Sequence, residues 1–135
     1  MMFTTENTEG TELEKDPLTG AVIGAAIEVH RHLGPGLLES AYEACLAHEL
    51  GQQGVGYRLQ VPLPVKYKGA SLDCGYRIDM VVENRLLLEL KAIEQVLPIH
   101  TAQILTYMRL ASIDTGLLIN FNVTRLVDGV QRFKL

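Results

Sequence analysis

Tryptophan is absent from this chain of 135 residues, and aromatic side chains are scarce, with three Phe and five Tyr. A carboxylate-pair hydrolase acting on sugars needs an open groove lined with aromatic rings, so the composition disfavours that class. Only two cysteines occur, Cys45 and Cys74, and neither belongs to a Cys-x-x-Cys pair. The four histidines show no zinc-ligand spacing with them. We therefore expect buried free thiols rather than a zinc site.

Long apolar runs are missing as well. No run approaches the ~20 residues of a membrane-spanning helix, and the longest candidate, residues 21–27, carries no cleavage-site pattern. We therefore predict a cytoplasmic protein that does not contact a membrane. A chain of 135 residues that is 47% hydrophobic predicts one globular domain.

An excess of basic residues, the usual mark of a nucleic-acid-binding surface, is also lacking, since the formal net charge is −4. The distribution of charge weakens that objection. Residues 1–16 hold five of the sixteen acids and one of the twelve basic residues, so residues 17–135 balance with eleven of each. If some of these acids surround divalent cations, the rest of the body is net positive. The sequence thus permits a nucleic-acid partner without demanding one.

The chain divides into a tail and a single domain. Residues 1–16 are polar, rich in Thr and Glu and without periodicity, which predicts a disordered acidic tail. The domain, residues 17–135, begins with Asp16-Pro17, an N-cap acid followed by the proline of a first helical turn. Apolar spacing predicts that this helix ends at residues 34–36 and that a second helix spans about residues 37–50.

Extended segments follow the two helices. Residues 57–67 alternate apolar side chains, and their two prolines predict one long strand that is either an edge strand or has a free side. A third helix is expected at residues 99–111 and a buried strand at residues 116–121. Asp128-Gly129 predicts a terminal hairpin. This order predicts an α/β fold of mixed α and β elements, with a central mixed sheet flanked by helices.

The stretch 76–91 places charged residues inside otherwise apolar, strand-like runs. It predicts two antiparallel strands joined by a turn at Glu83-Asn84. Because strand side chains alternate, Glu89 and Lys91 point the same way, and pairing across the hairpin brings Asp79 beside Glu89. A solvated ion pair on an exposed sheet face is the ordinary interpretation of an isolated Glu-x-Lys.

A small, hard cation such as Mg²⁺ is typically coordinated by two protein carboxylates, and water and substrate phosphate complete its octahedron. A neighbouring lysine can orient an attacking water and offset charge that grows on a phosphate. Our working hypothesis is therefore metal-assisted phosphodiester hydrolysis, with Mg²⁺ or Mn²⁺ as the cofactor.

Three further charged residues are candidates for a place near these carboxylates: two acids of the second predicted helix and one arginine of the predicted hairpin. Glu39 lies just inside the second helix, where a solvated position and a place near a cation are both open. Glu43, one turn later, is expected on a solvated face. Arg77 shares a face with Asp79, so an ion pair and a contact to backbone phosphate are both open.

Six segments carry a resemblance in chain order. Residues 36–42 read Gly-Leu-Leu-Glu-Ser-Ala-Tyr, and five further motifs follow at residues 61–65, 76–79, 89–92, 103–107 and 116–121. With these motifs the chain resembles the PD-(D/E)XK nuclease superfamily and, more narrowly, its GxxExxY protein family. The resemblance implies a restriction-endonuclease-like core of the order ααβββαβ.

The resemblance also implies roles for individual residues. Asp79 and Glu89 would be metal ligands, with the backbone carbonyl of Leu90 as a third, and Lys91 would position the water. Glu39 would complete the metal shell, directly or through water.

A second motif and the partners follow from the same resemblance. Gln103 and Tyr107 match a Gln-x-x-x-Tyr signature that contacts substrate or orients the active-site lysine. The implied partner is nucleic acid, with DNA favoured over RNA. The alternative is a nuclease fold that has lost catalysis and binds nucleic acid or protein. A homodimer and a protein partner that supplies targeting are both open.

Overall fold

The computed structural model describes residues 4–6 and 16–135 of the chain. Its helices are α1 (Pro17–Leu33), α2 (Glu39–Gln52) and α3 (Pro98–Ala111). Its strands are β1 (Thr4–Glu6), β2 (Tyr57–Pro62), β3 (Val65–Tyr67), β4 (Ala70–Leu72), β5 (Arg77–Val82), β6 (Leu86–Lys91), β7 (Thr115–Asn120) and β8 (Val130–Lys134). The predicted α/β class is confirmed.

One sheet of six strands forms the centre of the fold, in the order β1-β8-β7-β6-β5-β2. Strands β6 and β7 run parallel, joined by α3 as the crossover helix, and the other neighbours are antiparallel. The sheet is therefore mixed, as predicted. Strands β3 and β4 pair only with each other, as a separate two-stranded sheet.

Helices cover both faces of the sheet, so its central strands are buried on both sides. Leu88 and Leu90 of β6 pack in one core with α1 and α2. Leu87 packs in a second core with Ile104 and Met108 of α3. Strand β6 is consequently apolar apart from the two charged residues at its end, Glu89 and Lys91.

Helix α1 begins where the sequence predicted it. Asp16 is the N-cap: its carboxylate accepts hydrogen bonds from the Leu18 N–H, at 3.2 Å, and from the Thr19 hydroxyl, at 2.6 Å. The proline after it fits the first helical position because its missing N–H has no partner there in any case.

The bend between α1 and α2 is held by a buried tyrosine. Gly34 and Gly36 take left-handed φ values of 68° and 99°. The Tyr42 hydroxyl donates to the Gly34 carbonyl, at 2.6 Å, and accepts from the Leu37 N–H, at 3.2 Å. Its ring stacks on Phe121, directly after β7, with centroids 4.4 Å apart. This tyrosine therefore fixes the point at which α2 starts, and α2 starts with Glu39.

The prediction of one strand over residues 57–67 is wrong. The strand breaks into β2 and β3, which belong to different sheets. Pro62 and Pro64 cannot donate to a ladder, so continuous pairing fails between them. The part that stays in the main sheet, β2, is its edge strand, as predicted.

The predicted terminal hairpin at Asp128-Gly129 is also wrong. Residues Leu126–Gly129 form a 3₁₀ turn, and β8 pairs with β7 instead. Gly129 approaches the Asn120 carbonyl so closely that a Cβ would overlap it. The glycine is thus required by close packing rather than by a hairpin turn.

Residues Thr4–Glu6 form β1, which pairs antiparallel with β8. The prediction of a disordered tail over residues 1–16 does not hold for these three residues or for Asp16. The rest of that prediction concerns residues 1–3 and 7–15, which lie outside the described part of the chain.

Both cysteines are free, but Cys45 is half-buried and Cys74 is exposed, so the expectation of buried thiols is wrong for Cys74. Over the helices that the structure describes, none combines the length and apolar character needed to cross a bilayer.

Candidate active site

The predicted hairpin of β5 and β6 is present, and it opens where the predicted acids stand. Glu83 and Asn84 both take left-handed φ values, 50° and 57°, and the Arg85 N–H donates to the Val82 carbonyl at 3.1 Å, which closes a tight turn around these two residues. The ladder runs to Met80 opposite Leu88. One residue further along, the Asp79 carboxylate takes over as acceptor and receives the Leu90 N–H at 2.8 Å. Asp79 and Glu89 therefore meet where the two strands part.

Glu89 and Lys91 lie on the same face of β6, as alternation predicted. Glu89 is only 4% exposed, and its Oε2 lies 3.5 Å from the Lys91 Nζ. The pair is not the solvated surface pair of the ordinary interpretation, because both side chains are largely removed from water.

The electrostatics of this pair are dominated by burial. Burial, joined by the charge of Asp79, raises the pKa of Glu89 to about 7 against the opposing effect of Lys91. Burial also raises the pKa of Asp79, although the Leu90 N–H and Lys91 act against it. The positive charge of Lys91 alone therefore does not offset the cost of burying these neighbouring carboxylates in their ionised form.

Helix α2 closes the other side of the site. A cavity of about 150 Å³ is lined by Glu39, Ser40, Glu43, Gln60, Asp79 and Leu90. The charge of Glu39 adds to the rise in the pKa of Glu89. Glu39 itself is exposed and lines this cavity.

Two further polar residues line this cavity: Gln60, which sequence reasoning missed, and Glu43, for which it favoured a solvated position. Gln60 donates from Nε2 to Glu43 Oε1 at 2.6 Å, and its side chain also bonds to Asp79. Glu43 is half-buried here, so the expectation that it is solvated is wrong. Its position one turn after Glu39 was the available signal. Gln60 offered none, because its reach depends on a left-handed φ of 50° in the edge strand.

The segment after Lys91 is fixed by Asn120, at the end of β7. Asn120 lies beside Lys91 in the parallel register. Its amide oxygen accepts from the Ile93 N–H, at 3.1 Å, and its amide nitrogen donates to the Ile93 carbonyl, at 2.9 Å. The Phe121 N–H donates to the Lys91 carbonyl at 2.9 Å. In the sequence, the signal for this role of Asn120 was a polar residue at the end of the apolar run of residues 117–119.

Gln103 and Tyr107 lie one turn apart on α3, as predicted, and the Gln103 amide donates to the Tyr107 hydroxyl at 3.1 Å. They line a separate cavity, near Tyr76, rather than the cavity of the carboxylates. Arg77 is exposed and donates to the Tyr76 carbonyl at 2.9 Å. Within residues 16–135 no ion pair joins Arg77 to an acid, so the ion-pair alternative is not observed.

The donor set can be tested against the implied cation. Considering residues 16–135 alone, no group of three or more His, Cys, Asp or Glu side chains is gathered tightly enough to hold a metal ion. Direct ligation by Glu39 thus stays a prediction. Asp79 and Glu89 still fit Mg²⁺, which takes one or two carboxylates and fills its octahedron with water and phosphate. Their raised pKa values show that added positive charge would be favourable here.

The comparisons with known proteins bear on the whole of this arrangement. A family model described as the PD-(D/E)XK nuclease superfamily matches residues 16–133. No curated protein and no solved structure gives a significant match. The matched range contains both helices before the sheet, the hairpin that carries Asp79 and Glu89, the crossover helix and strands β7 and most of β8. On the strength of that match, the chain belongs to the PD-(D/E)XK nuclease superfamily.

Proposed function

We propose that this protein is a metal-dependent nuclease that hydrolyses phosphodiester bonds of DNA, with RNA as the less favoured substrate. We also propose that it falls in the GxxExxY branch, because residues 36–42 match that motif. The observation that carries the proposal is the buried Glu89 beside Asp79 and Lys91, with a pKa raised to about 7, mainly by burial. Perturbed carboxylates of this kind concentrate at catalytic sites.

In this proposal Asp79, Glu89 and the Leu90 carbonyl hold Mg²⁺ or Mn²⁺, with Glu39 acting across the cavity, directly or through water. The bound cation would polarise the phosphate and lower the pKa of its water. Ligation by the Leu90 carbonyl is supported by the hydrogen bond from the Leu90 N–H to the Asp79 carboxylate, which fixes the peptide unit directly before that carbonyl.

Lys91 would hold the attacking water and offset the negative charge that builds on the phosphate. The water gives up a proton to solvent as its oxygen forms the new bond to phosphorus, the bond to the leaving sugar oxygen breaks, and that oxygen takes up a proton from solvent. Asn120 would act as a positioning residue, because its bonds to Ile93 fix the backbone directly after the lysine. Arg77, Gln103 and Tyr107 would contact the substrate.

The test is cleavage of labelled single- and double-stranded DNA and RNA with Mg²⁺ or Mn²⁺. Wild type is compared with Lys91→Met, which keeps the length of the side chain and removes the charge. Lys134→Met is the matched control, because Lys134 lies on β8 and pairs with Asp114. Cleavage by wild type and Lys134→Met, lost in Lys91→Met, supports the proposal. Equal background in all three proteins would refute it for these substrates.

Metal binding gives a second measurement that does not depend on turnover. Titration calorimetry with Mn²⁺ should detect binding to wild type and to Lys91→Met, and no binding to a double variant Asp79→Asn, Glu89→Gln. Unchanged Mn²⁺ binding in that double variant would show that the cation sits elsewhere. A chain that binds neither cation nor cuts would be the non-catalytic binding module.

The cytoplasmic location, the homodimer and the targeting partner stay predictions. Of these, self-association is the simplest to measure, by sedimentation of the purified chain.

A further inference from the structure

A second cavity, of about 490 Å³, lies against α3 near the start of β5. Its wall includes Val65, Tyr76, Ile99, Gln103, Thr106 and Tyr107. We call it the Tyr76 groove. The lining is mainly apolar, contains no acid, and has one side-chain amide. Its volume falls in the range of about 300–1,000 Å³ that is typical of small-ligand sites.

Tyr76 is an exposed aromatic side chain whose ring packs on a buried one. It is 46% exposed, and its ring meets the Tyr107 ring edge-on, with centroids 5.9 Å apart and planes at 64°. Tyr107 is itself buried, and the Gln103 amide donates to its hydroxyl. The Tyr76 ring is therefore buttressed from below and open to solvent. Such a ring can receive a flat partner at little cost in side-chain entropy.

Two cations border the groove. Arg77 donates to the Tyr76 carbonyl at 2.9 Å, and Arg109 donates to the Thr106 hydroxyl at 3.1 Å. Both are exposed. Asp73 and Asp79 each lie three residues from Tyr76. The Asp73 carboxylate accepts the Gly75 N–H in the turn before Tyr76, and the Asp79 carboxylate accepts the Leu90 N–H. An apolar floor with a rim of cations complements a base carried on a phosphodiester chain.

The groove and the candidate active site are separate cavities that lie along the same strand, β5. Tyr76 directly precedes β5, which carries Asp79 three residues later, roughly 10 Å along the strand. Helix α3 packs in the same core as Leu87, and Glu89 and Lys91 follow Leu87 on that face of β6. A strand seated in the groove would thus lead towards the carboxylates.

We infer that the Tyr76 groove binds one unstacked nucleobase of single-stranded nucleic acid, next to the phosphate that the proposed active site attacks. The second half of this inference rests on the proposed function. Bases inside a duplex are stacked on each other and cannot enter such a groove, so the substrate class is a single strand or an opened end. The Gln103 amide oxygen is placed to accept a hydrogen bond from the edge of the base.

The test uses single-stranded DNA and RNA oligonucleotides that carry 2-aminopurine, whose fluorescence falls when it stacks on an aromatic ring. Binding is measured in EDTA, so that metal-dependent cleavage cannot occur. The proteins are wild type, Tyr76→Ala, Tyr76→Phe and Tyr57→Ala. Tyr57 is the matched control, since it is 38% exposed but stands at the far end of β2, opposite Val82.

Wild type, Tyr76→Phe and Tyr57→Ala should quench the probe and bind with similar affinity. Tyr76→Ala should lose the quenching and bind about 5- to 100-fold more weakly, the loss of one base–aromatic stack. The same sequence as a duplex should give no quenching with any of the proteins. The DNA and RNA arms identify which sugar the groove prefers.

Equal binding by Tyr76→Ala and Tyr57→Ala would overturn the inference, as would an absence of quenching by wild type. So would self-association of wild type that Tyr76→Ala abolishes without changing oligonucleotide binding, because the groove would then be a protein interface. The outcomes stay separable from those of the nuclease proposal. Quenching by a protein that never cuts would refute only the nuclease, and cutting without a role for Tyr76 would refute only the groove.

Discussion

Two clusters of buried charge stand in this fold, and they are built in opposite ways. At the start of α1, Asp16 receives hydrogen bonds from Leu18 and Thr19 and pairs with Arg132 at 3.0 Å. Burial acts to raise the pKa of Asp16, but these partners outweigh it and the pKa is lowered. At the end of β6, burial wins and the pKa values of Asp79 and Glu89 are raised.

The difference separates charge that stabilises the fold from charge that opposes folding. An acid whose pKa is lowered by folding contributes to stability at neutral pH. An acid whose pKa is raised opposes folding when it is ionised. The cluster at β6 therefore costs stability that the rest of the sheet supplies, a pattern typical of functional sites.

The largest effect is expected on activity. Asp79→Asn should lower the proposed metal-dependent cleavage rate on the order of 10³-fold, because a cation contributes several kcal/mol to phosphate chemistry. Asp16→Asn, measured well below its melting temperature, should cut at nearly the wild-type rate. Equal losses in the two variants would mean that both clusters act only through stability.

The next effect is on stability, and it falls on the other cluster. Asp16→Ala should lower the free energy of unfolding by about 2–4 kcal/mol, since it removes the helix cap and the pair with Arg132. Urea denaturation followed by circular dichroism measures it. Glu28→Ala, on the same helix in an exposed pair with Arg31, should change little. Similar losses in both would show that any acid of α1 matters equally.

A gain of stability is expected at the site itself. Glu89→Gln, without metal at pH 8, should raise the free energy of unfolding by about 1–2 kcal/mol. The folded pKa of about 7 lies above the ordinary 4.5, so wild type loses stability as pH rises between these values. The gain should therefore be present above pH 7 and vanish near pH 4.5. A variant less stable than wild type at pH 8 would make Glu89 a structural residue.

The pH dependence of stability should have the opposite sign at Asp16, and it should be seen in acid. Its folded pKa lies below the ordinary 3.8, so its contribution is present above that pH and is lost as pH falls through the folded pKa. The melting temperature of wild type should thus fall below about pH 4, and that of Asp16→Asn should fall less steeply. Parallel curves for the two proteins would contradict the lowered pKa.

The smallest effect concerns salt. Arg77→Gln should weaken oligonucleotide binding only a few-fold and reduce the slope of log affinity against log salt by about 0.7–0.9, the release of one counterion. Affinities measured by anisotropy over a range of salt concentrations supply that slope. An unchanged slope would mean that the exposed guanidinium does not meet phosphate.

The sequence predicted the parts of the fold that local patterns control. The hairpin follows from alternation on both sides of a polar turn, and that alone brings Asp79 to Glu89 and Lys91. Helix α1 follows from its cap. The crossover helix follows from the need to join two parallel strands.

The parts that were missed depend on contacts distant in the chain. Gln60 reaches Glu43 and Asp79 only because the edge strand is distorted at that residue. Gly129 is set by the approach of the Asn120 carbonyl, which no local pattern encodes. The choice of strand partners also depends on distant contacts. Strand β3 pairs with β4 rather than extending β2, and β8 pairs with β7.

The two borders of the six-stranded sheet have different consequences for handling the protein. At one edge of the sheet, β2 ends in Pro62. Because proline has no N–H to donate to a further strand, it discourages edge-to-edge pairing with the sheet of another molecule. At the other border β1, only three residues long, covers the backbone of β8. Trimming the chain before Asp16 would strip that cover and leave β8 as an open template for another molecule. Shortened versions are therefore expected to aggregate more readily than the full chain.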